Sequence, residues 1–442
     1  MLAILRRTYR VKTPGQQETI GEGSAVKAVV IGGSVGGLFV ANMLLRQGWD
    51  VHVYERVASG LSGRGAGIAG HDELSALLKL AGVEQEPLGI NVDGRVAYGM
   101  AGEVIDRVDH PQYLTAWGFV YRQLHAVFPA ERYHAGTEFT GLKHGPDHPV
   151  AVFADGSEVQ ADLVVGADGF RSRVRAILAP EIEPRYGGYV AYRGVMAESV
   201  LSSHFRAETV GLWSFLFPGD GQLIGYPLLG PDDSFKPGER RYSYLWYRNI
   251  GDKDALDDLL TDQSGTTHEY SIPPPLIRGE HIERFKAHAA VTLPAQFVEI
   301  VQRAEQHMLQ PIYDVESARI AFGQVALLGD AAFVARPHVG IGVLKAAQDA
   351  RALAAAVGRG DTSTGPDGHA QAIVASLACY NDLRVPPGRQ AVHFAQHLGA
   401  FIERGLQGPW SDPSLGVSPQ YLIRVSARPM EHLPAEVVNG AP

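Results

Sequence analysis

The sequence of 442 residues contains a single cysteine, Cys379, and no apolar run long enough to span a bilayer. One cysteine cannot form a disulfide within the chain or build a cysteine-based metal site, and no H-E-x-x-H pattern is present. The formal net charge of −9 argues against general nucleic-acid binding, because phosphate binding needs a basic surface. These absences predict a cytoplasmic protein with no transmembrane segment, no nucleic-acid partner and no bound metal.

The chain does have enough apolar sequence for a large core. Hydrophobic residues make up 45% of it, and its length suggests two or three lobes rather than one small domain. Residues 1–25 stand apart as an N-terminal tail, in which four basic residues precede the first acidic residue, Glu18. A transit peptide is the alternative for this segment.

A βαβ pattern begins directly after this tail. The β-branched run at 28–31 predicts a buried parallel strand, residues 38–47 predict a helix, and residues 51–55 predict a second strand. Such a unit of about 30 residues is the usual start of a nucleotide-binding α/β domain.

A glycine cluster lies between that first strand and helix. Gly32, Ser34 and Gly37 occupy the three key positions of a dinucleotide-binding loop, with serine in place of the middle glycine. Glu55 ends the second strand, where a carboxylate can accept hydrogen bonds from ribose hydroxyls. The pattern predicts a bound dinucleotide and, by itself, leaves both NAD and FAD open.

The rest of the chain predicts more sheet and helix. Residues 150–163 are typical of a β-hairpin, and residues 186–248, rich in aromatic and β-branched residues, predict a meandering antiparallel sheet. Helical patterns dominate after Pro273, and a buried strand at 325–328 precedes a helix at 342–357. The last 30 residues carry several prolines and are expected to lie on the surface.

Two further motifs carry a family resemblance. Residues 166–175 read G-A-D-G-F-R-S-R-V-R, and the run Gly329-Asp330-Ala331-Ala332 is followed by Pro337, Gly340 and Gly342. Together with the first glycine cluster, these segments resemble in order and spacing the flavin motifs of the single-component FAD-dependent aromatic hydroxylases. The resemblance covers the chain from about residue 26 to residue 354.

The resemblance implies FAD as the cofactor. It implies that Asp330 bonds a ribityl hydroxyl, that backbone N–H groups of residues 340–342 face the flavin, and that Asp168 lies near the pyrophosphate and the nicotinamide approach. The three arginines at 171, 173 and 175 are expected to form a solvated helix face.

A set of FAD contacts follows from the motifs and the resemblance. The predicted cofactor-binding residues are Gly32, Ser34, Gly37, Glu55, Arg56, Arg64, Ala66, Gly67, Arg122, Asp168, Asp330, Pro337, Gly340, Ile341 and Gly342. In the family's R-x-x-L segment, Tyr121 holds the arginine position and Arg122 is shifted by one, so either is a candidate.

Other segments resemble the 2,6-dihydroxypyridine 3-hydroxylase branch of this family. They include Arg336-Pro337-His338 with Lys345 downstream, and residues 186–195. This resemblance implies a hydroxylated pyridine or a related phenol as substrate. The predicted ring pocket consists of Tyr192, Trp213, Phe215, Tyr226 and His338, with Trp246 as a further candidate. For each of these aromatic residues taken alone, ordinary packing within the sheet is the alternative.

The predicted catalytic residues are His338, Arg336 and Tyr192. His338 is the first candidate for the base that deprotonates the substrate hydroxyl, and a packing or capping histidine is the alternative. Arg336 either holds a phenolate or pairs with a structural acid. His204 is a weaker candidate for the base.

The predicted fold class is α/β: a Rossmann-like FAD-binding domain, a mixed β-sheet substrate domain and a C-terminal helical segment. The FAD-binding domain is expected at 26–185 and 313–395, the substrate domain at 186–312, and the C-terminal segment at 396–442.

The resemblance also implies the reaction. NADH or NADPH reduces the flavin transiently, O₂ adds to give a C4a-hydroperoxide, and a small aromatic ring takes up one oxygen atom. A homodimer is the family-wide expectation. A flavoprotein oxidase or dehydrogenase and a non-catalytic FAD-binding protein are the alternatives, whereas the tryptophan motif of flavin halogenases is absent.

Overall fold

The computed structural model describes residues 26–61, 67–144, 148–219, 221–359, 365–408 and 412–429. In chain order the strands are β1 (Lys27–Ile31), β2 (Asp50–Glu55), β3 (Gly67–Ala69), β4 (Ile90–Tyr98), β5 (Val104–Ala116), β6 (Tyr133–Ala135), β7 (Phe139–His144), β8 (Pro149–Phe153), β9 (Glu158–Gln160), β10 (Leu163–Gly166), β11 (Arg185–Ala197), β12 (Trp213–Leu216), β13 (Gly221–Leu228), β14 (Arg241–Asn249), β15 (Gln306–Glu316), β16 (Ala321–Phe322), β17 (Val325–Leu327) and β18 (Phe333–Val334). The helices are α1 (Val35–Arg46), α2 (Asp72–Leu80), α3 (Trp117–Ala126), α4 (Arg173–Leu178), α5 (Ser203–Glu208), α6 (Lys253–Leu260), α7 (Gly279–Thr292), α8 (Ala295–Arg303), α9 (Gly342–Val357), α10 (Gly365–Glu403) and α11 (Pro419–Val425).

A six-stranded sheet forms the first lobe, in the order β16-β17-β10-β1-β2-β6. Its strands run parallel except for β16 at one edge. The residues of β1 and β10 are almost all buried, as expected for parallel strands covered by helices, and α1 packs against α9. The predicted Rossmann-like lobe is confirmed, with α1 beginning three residues earlier than the sequence indicated.

A nine-stranded sheet forms the second lobe, in the order β18-β15-β11-β14-β13-β12-β4-β5-β3. The predicted antiparallel meander is confirmed for β11 to β14, and β12 also pairs in parallel with β4. The expectation of mainly helical structure after Pro273 was incomplete. The strand β15, of 11 residues, lies in this region and pairs with β11 in antiparallel orientation.

The two faces of the nine-stranded sheet pack against different partners. Tyr192 and Trp246 face α7, where the Tyr192 ring stacks on Phe285 with ring centroids 4.2 Å apart. Their neighbours along the strands point the opposite way because side chains alternate in a strand. Ala191 and Tyr247 therefore belong to the core that the sheet shares with the first lobe.

The segment after α10 is part of the core rather than a surface extension. Leu422 and Ile423 of α11 are fully buried, so the expectation that the last 30 residues lie on the surface was wrong for this helix. Pro419 lies in the first turn of α11, where a missing N–H costs no helical hydrogen bond.

Arg95 on β4 holds this C-terminal segment in place. Its guanidinium is fully buried and donates to three backbone carbonyls and one side-chain amide, those of Ile423, Ser426, Ala427 and Gln112. Desolvation lowers the pKa of Arg95 to about 9, which leaves it cationic at neutral pH. A cation at the C-terminus of α11 also interacts favourably with the helix dipole.

The nine-stranded sheet draws on several parts of the chain. Strands β3 to β5 join it, although residues 67–116 fall within the segment predicted to bind FAD, and β15 crosses the predicted boundary at 312/313. The domain boundaries themselves stay predictions. None of the helices in the described ranges is both long enough and apolar enough to cross a membrane.

Replacing Arg95 by methionine should lower the free energy of unfolding by about 2–3 kcal/mol, because buried carbonyls would lose a charged donor. Urea unfolding of the two proteins measures the difference. Arg107→Met, at an exposed position of β5, is the matched control and should change stability little. An Arg95 variant as stable as the control would contradict the proposed anchoring of α11.

Candidate active site

The glycine loop between β1 and α1 is built for close backbone approach. A Cβ at Gly37 would lie 1.9 Å from the carbonyl oxygen of Gly32, so no other residue fits there without moving the loop. Gly32 has a φ of +101° and lies against the backbone of Ala167, which joins this loop to the one after β10. The positions assigned to Gly32 and Gly37 from the sequence are therefore sterically required to be glycine.

The start of α1 faces open space next to this loop. Ser34 is the N-cap residue, but its side chain makes no capping hydrogen bond. Glu55 accepts hydrogen bonds from the backbone N–H groups of Gly33 and Val57, both at 2.9 Å. A helix N-terminus without a side-chain cap is a favourable site for a phosphate group.

These residues line a cavity of about 640 Å³, termed here the loop cavity. Of the predicted cofactor residues, it brings together Gly32, Ser34, Glu55, Arg56 and Asp168. Gly37 lies behind it and acts through the shape of the loop.

Asp168 lies at the edge of the loop cavity and caps α4. Its carboxylate accepts hydrogen bonds from Ser172 Oγ and from the backbone N–H groups of Arg173 and Val174. Burial raises the pKa of Asp168, while these hydrogen bonds act in the opposite direction. Its carboxylate is thus engaged by its own helix, and the following Gly169, with a φ of +78°, leaves the backbone close to the cavity.

Arg175 is buried, contrary to the expectation of a solvated helix face. Its guanidinium donates to the carbonyls of Phe170, at 2.7 Å, and Ala331, at 3.0 Å, and Nε donates to Ile182. Arg175 therefore ties the loop after β10 to the loop that carries Asp330.

A second network holds the turn at Gly329 and Asp330. The Lys345 ammonium donates to the Gly329 carbonyl at 2.9 Å, and the Gly329 N–H donates to Asp349 at 3.1 Å. Arg384 of α10 donates to the other oxygen of Asp349 at 2.7 Å. These contacts leave the side chain of Asp330 to line a second cavity.

This second cavity, termed the sheet cavity, has a volume of about 410 Å³. One side is formed by the predicted cofactor residues Gly67, Asp330, Pro337, Gly340 and Gly342, and the opposite side by the inner face of the nine-stranded sheet. Trp117 and Arg171 line both cavities, so the two adjoin.

The shape of these cavities fits FAD. Helix α9 begins at Gly342 beside the sheet cavity, its N-cap Ile341 provides no side-chain cap, and a Cβ at Gly342 would meet no atom of the described chain. The protein thus presents uncapped helix N-termini to both cavities. The N-terminus of α1 suits a pyrophosphate, and the N-terminus of α9 suits the negative charge that a flavin gains at its N1–O2 edge on reduction.

The segment before α9 is held by contacts from the C-terminal part of the chain. Gly340 has a φ of +62°, and a Cβ there would lie 2.3 Å from the Cβ of Ala427. Ala427 and Ser426 also line the sheet cavity. The segment that Arg95 anchors is therefore part of the cavity wall.

His338 reaches the sheet cavity but has no free ring nitrogen. Its Nε2 lies 2.8 Å from the hydroxyl of Tyr189 and its Nδ1 lies 3.0 Å from Oε1 of Gln222, which fits a neutral ring that donates from Nδ1. Gly399 leaves room for this pair, since a Cβ there would lie 2.3 Å from the Tyr189 hydroxyl. Desolvation, and to a smaller extent Arg336, lowers the pKa of His338 to about 3.

Arg336 is matched by carboxylates rather than directed to an open site. Its guanidinium contacts both oxygens of Asp314 at 2.8–3.1 Å and Glu403 at 2.7 Å. Of the two roles predicted for Arg336, pairing with a structural acid is the one its contacts match.

The predicted ring-pocket residues divide between the two faces of the sheet. Trp213, Tyr226 and His338 line the sheet cavity. Phe215 lies behind Trp213, with ring centroids 5.5 Å apart, and Tyr192 lies on the helix-covered face. The structure thus corrects the placement of Tyr192, because alternation along β11 turns it away from the cavity.

Tyr121 and Arg122, the two candidates from the R-x-x-L segment, contact different parts of the structure. The Tyr121 hydroxyl lies 3.4 Å from that of Tyr133, which donates to the Gly33 carbonyl at 3.0 Å, whereas Arg122 pairs with Asp233. Arg64 and Ala66 lie outside the described residues. His204 is exposed on α5.

Arg193, Tyr247 and Gln310 are among the polar residues of the sheet cavity that sequence reasoning missed. Arg193 and Tyr247 directly follow Tyr192 and Trp246, which were candidates for the ring pocket. For β11 and β14 the prediction therefore had the correct strands but chose residues on the opposite face of the sheet. A buried arginine in an otherwise apolar strand was the available signal.

Comparisons with known proteins agree with this arrangement. A family model described as FAD binding domain-like matches residues 186–314. A 2,6-dihydroxypyridine 3-monooxygenase from Paenarthrobacter nicotinovorans is 33% identical over 334 residues, which are 74% of this chain and 82% of that protein. A 3-amino-4-hydroxybenzoate 2-monooxygenase from Streptomyces platensis is 28% identical over 387 residues, covering 84% of this chain and 87% of the relative.

A solved structure is similar over almost the whole chain. The structure of 2,6-dihydroxypyridine-3-hydroxylase from Arthrobacter nicotinovorans matches with a TM-score of 0.81 at 27% identity, covering 93% of this chain and 99% of that one. The similarity therefore extends across both lobes.

Gly37→Ala should yield a folded protein that retains little FAD, because the new Cβ would push the Gly32 carbonyl out of the loop. The ratio of flavin to protein after gel filtration measures this. Gly279→Ala, where a Cβ meets no atom within 4 Å, is the control and should keep its flavin. Full flavin content in Gly37→Ala would show that this loop does not hold the cofactor.

The stability of the protein should fall as the pH drops from about 6.5 towards 3, in part because of His338. Its pKa is 6.5 when unperturbed and about 3 in the folded protein, so in this window the unfolded chain binds a proton that the folded one does not. The contribution of the neutral ring is thus complete above pH 6.5 and is lost below it. Across this range the free energy of unfolding should fall less steeply with pH in His338→Gln than in the parent protein. In the exposed control His204→Gln the slope should equal that of the parent protein.

The slope should decrease rather than vanish in the His338 variant. Burial also lowers the pKa values of His307 and His110, each to about 4. An identical slope in His338→Gln and the parent protein would contradict a neutral, buried His338.

Proposed function

Because the chain belongs to the FAD-dependent aromatic-ring monooxygenases, we propose that it hydroxylates a small pyridine-like or phenolic ring that already carries a hydroxyl group, using NADH or NADPH and O₂. In this reaction one oxygen atom enters the ring, the other leaves as water, and the nicotinamide is oxidised. The homodimer stays an expectation of family membership.

The observation that supports this proposal is the position of the sheet cavity. It lies between the loop of residues 337–342, which opens α9, and the aromatic inner face of the nine-stranded sheet. A volume of about 410 Å³ accommodates a single ring beside the reactive edge of a flavin.

FAD, when bound, supplies the redox chemistry by accepting a hydride and activating O₂. The residues of the chain hold the two reactants and exclude water from them. Trp213, Ile224, Tyr226 and Leu245 provide an apolar wall on which a ring can pack.

Among the described residues, His338 is the one histidine that lines the sheet cavity. A nitrogen whose conjugate acid has a pKa of about 3 accepts a proton poorly at neutral pH. We infer that the hydrogen bonds with Gln222 and Tyr189 hold the His338 ring in the cavity wall, where it shapes the pocket for the substrate and does not remove the substrate's proton.

The reductant acts transiently in this proposal. The described residues contain one glycine-rich βαβ unit, and its loop cavity is assigned to FAD. NADH or NADPH therefore approaches from outside, where the two cavities adjoin at Arg171.

Anaerobic stopped-flow reduction of the holoenzyme tests this function. NADH and then NADPH would be mixed with the enzyme in the presence of hydroxypyridines, hydroxybenzoates and simple phenols. We expect one ligand to accelerate flavin reduction strongly, because enzymes of this family couple flavin reduction to substrate binding. Rapid reduction without any ligand would indicate an oxidase or dehydrogenase, and no reduction with any ligand would indicate a non-catalytic flavin binder.

A further inference from the structure

Arg193 is a buried cation on the wall of the sheet cavity. It lies on β11 opposite Leu245 of β14, and both side chains point to the inner face of the sheet. Only 8% of Arg193 is exposed, so its charge is largely removed from bulk water. A buried charge is costly unless something compensates it.

The other buried arginines in the described chain are compensated. Arg336 contacts two carboxylates, whereas Arg95 and Arg175 each donate to three backbone carbonyls. Their guanidinium groups serve to join segments of the fold.

Arg193 differs from these three. Its Nε donates to Oε1 of Gln310 at 2.7 Å, and no carboxylate of the described chain pairs with it. Its two terminal nitrogens have no partner there and are not sealed in the core, so they adjoin the open space of the cavity. Gln310 also lines the cavity and fixes the plane of the guanidinium.

Tyr247 lies near this cation without compensating its charge. It lies on β14 two residues beyond the partner of Arg193, a diagonal neighbour on the same face. Its hydroxyl is buried and has no hydrogen-bond partner in the described chain. Burial raises the pKa of Tyr247 well above its ordinary value, so the group is a neutral hydroxyl at physiological pH.

An uncompensated cation beside apolar walls is complementary to an anion. A negative charge on a ring oxygen also raises the electron density of the ring carbons that attack an electrophilic oxygen. Stabilising the anion is therefore one way in which the cavity can activate the ring.

We propose that Arg193, oriented by Gln310, binds the negative charge of an anionic aromatic substrate. The charge is carried either by an ionised ring hydroxyl or by a ring carboxylate, and both present oxygen atoms to the same guanidinium. This inference rests on the proposed function, because it concerns the ring that occupies the sheet cavity.

Ligand binding to the oxidised holoenzyme tests the proposal without turnover. The probes are 2,6-dihydroxypyridine, which ionises at a ring oxygen, 6-hydroxynicotinate, which carries a carboxylate, and the neutral 6-hydroxynicotinamide. Binding is followed by the change in flavin absorbance and by calorimetry. In the parent protein, at least one anionic probe should bind more tightly than the neutral amide, and the tighter anion identifies the source of the charge.

Arg193→Gln should raise the Kd of that anion roughly 10- to 100-fold, as expected for loss of a charge-assisted contact. The Kd of the amide should change little. Arg193→Lys keeps the charge without the planar fork and should lie between the two. The matched control is Arg206→Gln, which removes the same charge from an exposed position on α5 and should leave all three Kd values unchanged.

Three results would overturn the proposal: equal weakening of anionic and neutral probes by Arg193→Gln, no weakening of either, or preference of the parent protein for the amide. If Arg193→Gln fails to retain FAD, Arg193→Lys and the parent protein's own preference still decide the question. Ligand-stimulated reduction that persists in the parent protein despite any of these results would leave the proposed function standing and reject only the role of Arg193.

Discussion

The ion pair between Arg336 and Asp314 is the contact on which the geometry of the sheet cavity depends. Asp314 lies near the end of β15 in the nine-stranded sheet, and Arg336 begins the segment that leads through Pro337 and Gly340 to α9. Glu403 at the end of α10 completes the cluster. Buried charges of this kind contribute little net stability when paired, but losing one partner is strongly destabilising, so the pair fixes the position of the segment.

Other buried cations likewise hold chain segments in place beside the cavities. Arg175 joins the loop after β10 to the loop at Ala331, Lys345 holds the turn at Gly329, and Arg95 holds α11. In each case the cation bonds backbone carbonyls of loops, whose peptide groups have no neighbouring strand to bond. The loops that form the candidate cofactor site are therefore rigid because charged side chains satisfy them, and Arg193 is the buried arginine whose terminal nitrogens are left for a ligand.

The sequence predicted the first lobe well, because its information is local. A buried strand, a glycine loop and a helix in register fix the shape of residues 26–55, and Gly32 and Gly37 have the steric roles expected of them. The substrate lobe was predicted less completely. Tyr192 and Arg193 differ by one residue, and the face each occupies depends on the register of β11, which a bulge between Tyr186 and Val190 shifts.

The remaining differences come from long-range contacts. Asp314 is 22 residues from Arg336, and Ile423 is 328 residues from Arg95, so neither pairing has a local sequence signal. The prolines near the C-terminus predicted a surface segment, yet Pro419 starts a helix whose apolar residues cover β4. Strand β15 lacks strict alternation of apolar and polar residues, which made it resemble the helical segments before it.

Isotope labelling shows directly whether this protein inserts one atom of O₂ into an aromatic ring. The holoenzyme would be given the ring that best stimulates flavin reduction, a nicotinamide reductant and ¹⁸O₂, and the product analysed by mass spectrometry. We expect a hydroxylated ring that carries one ¹⁸O atom, with one reductant consumed per product. A product whose new oxygen comes from water, or an unchanged ring with O₂ reduced to hydrogen peroxide, would show that the protein is not a ring monooxygenase.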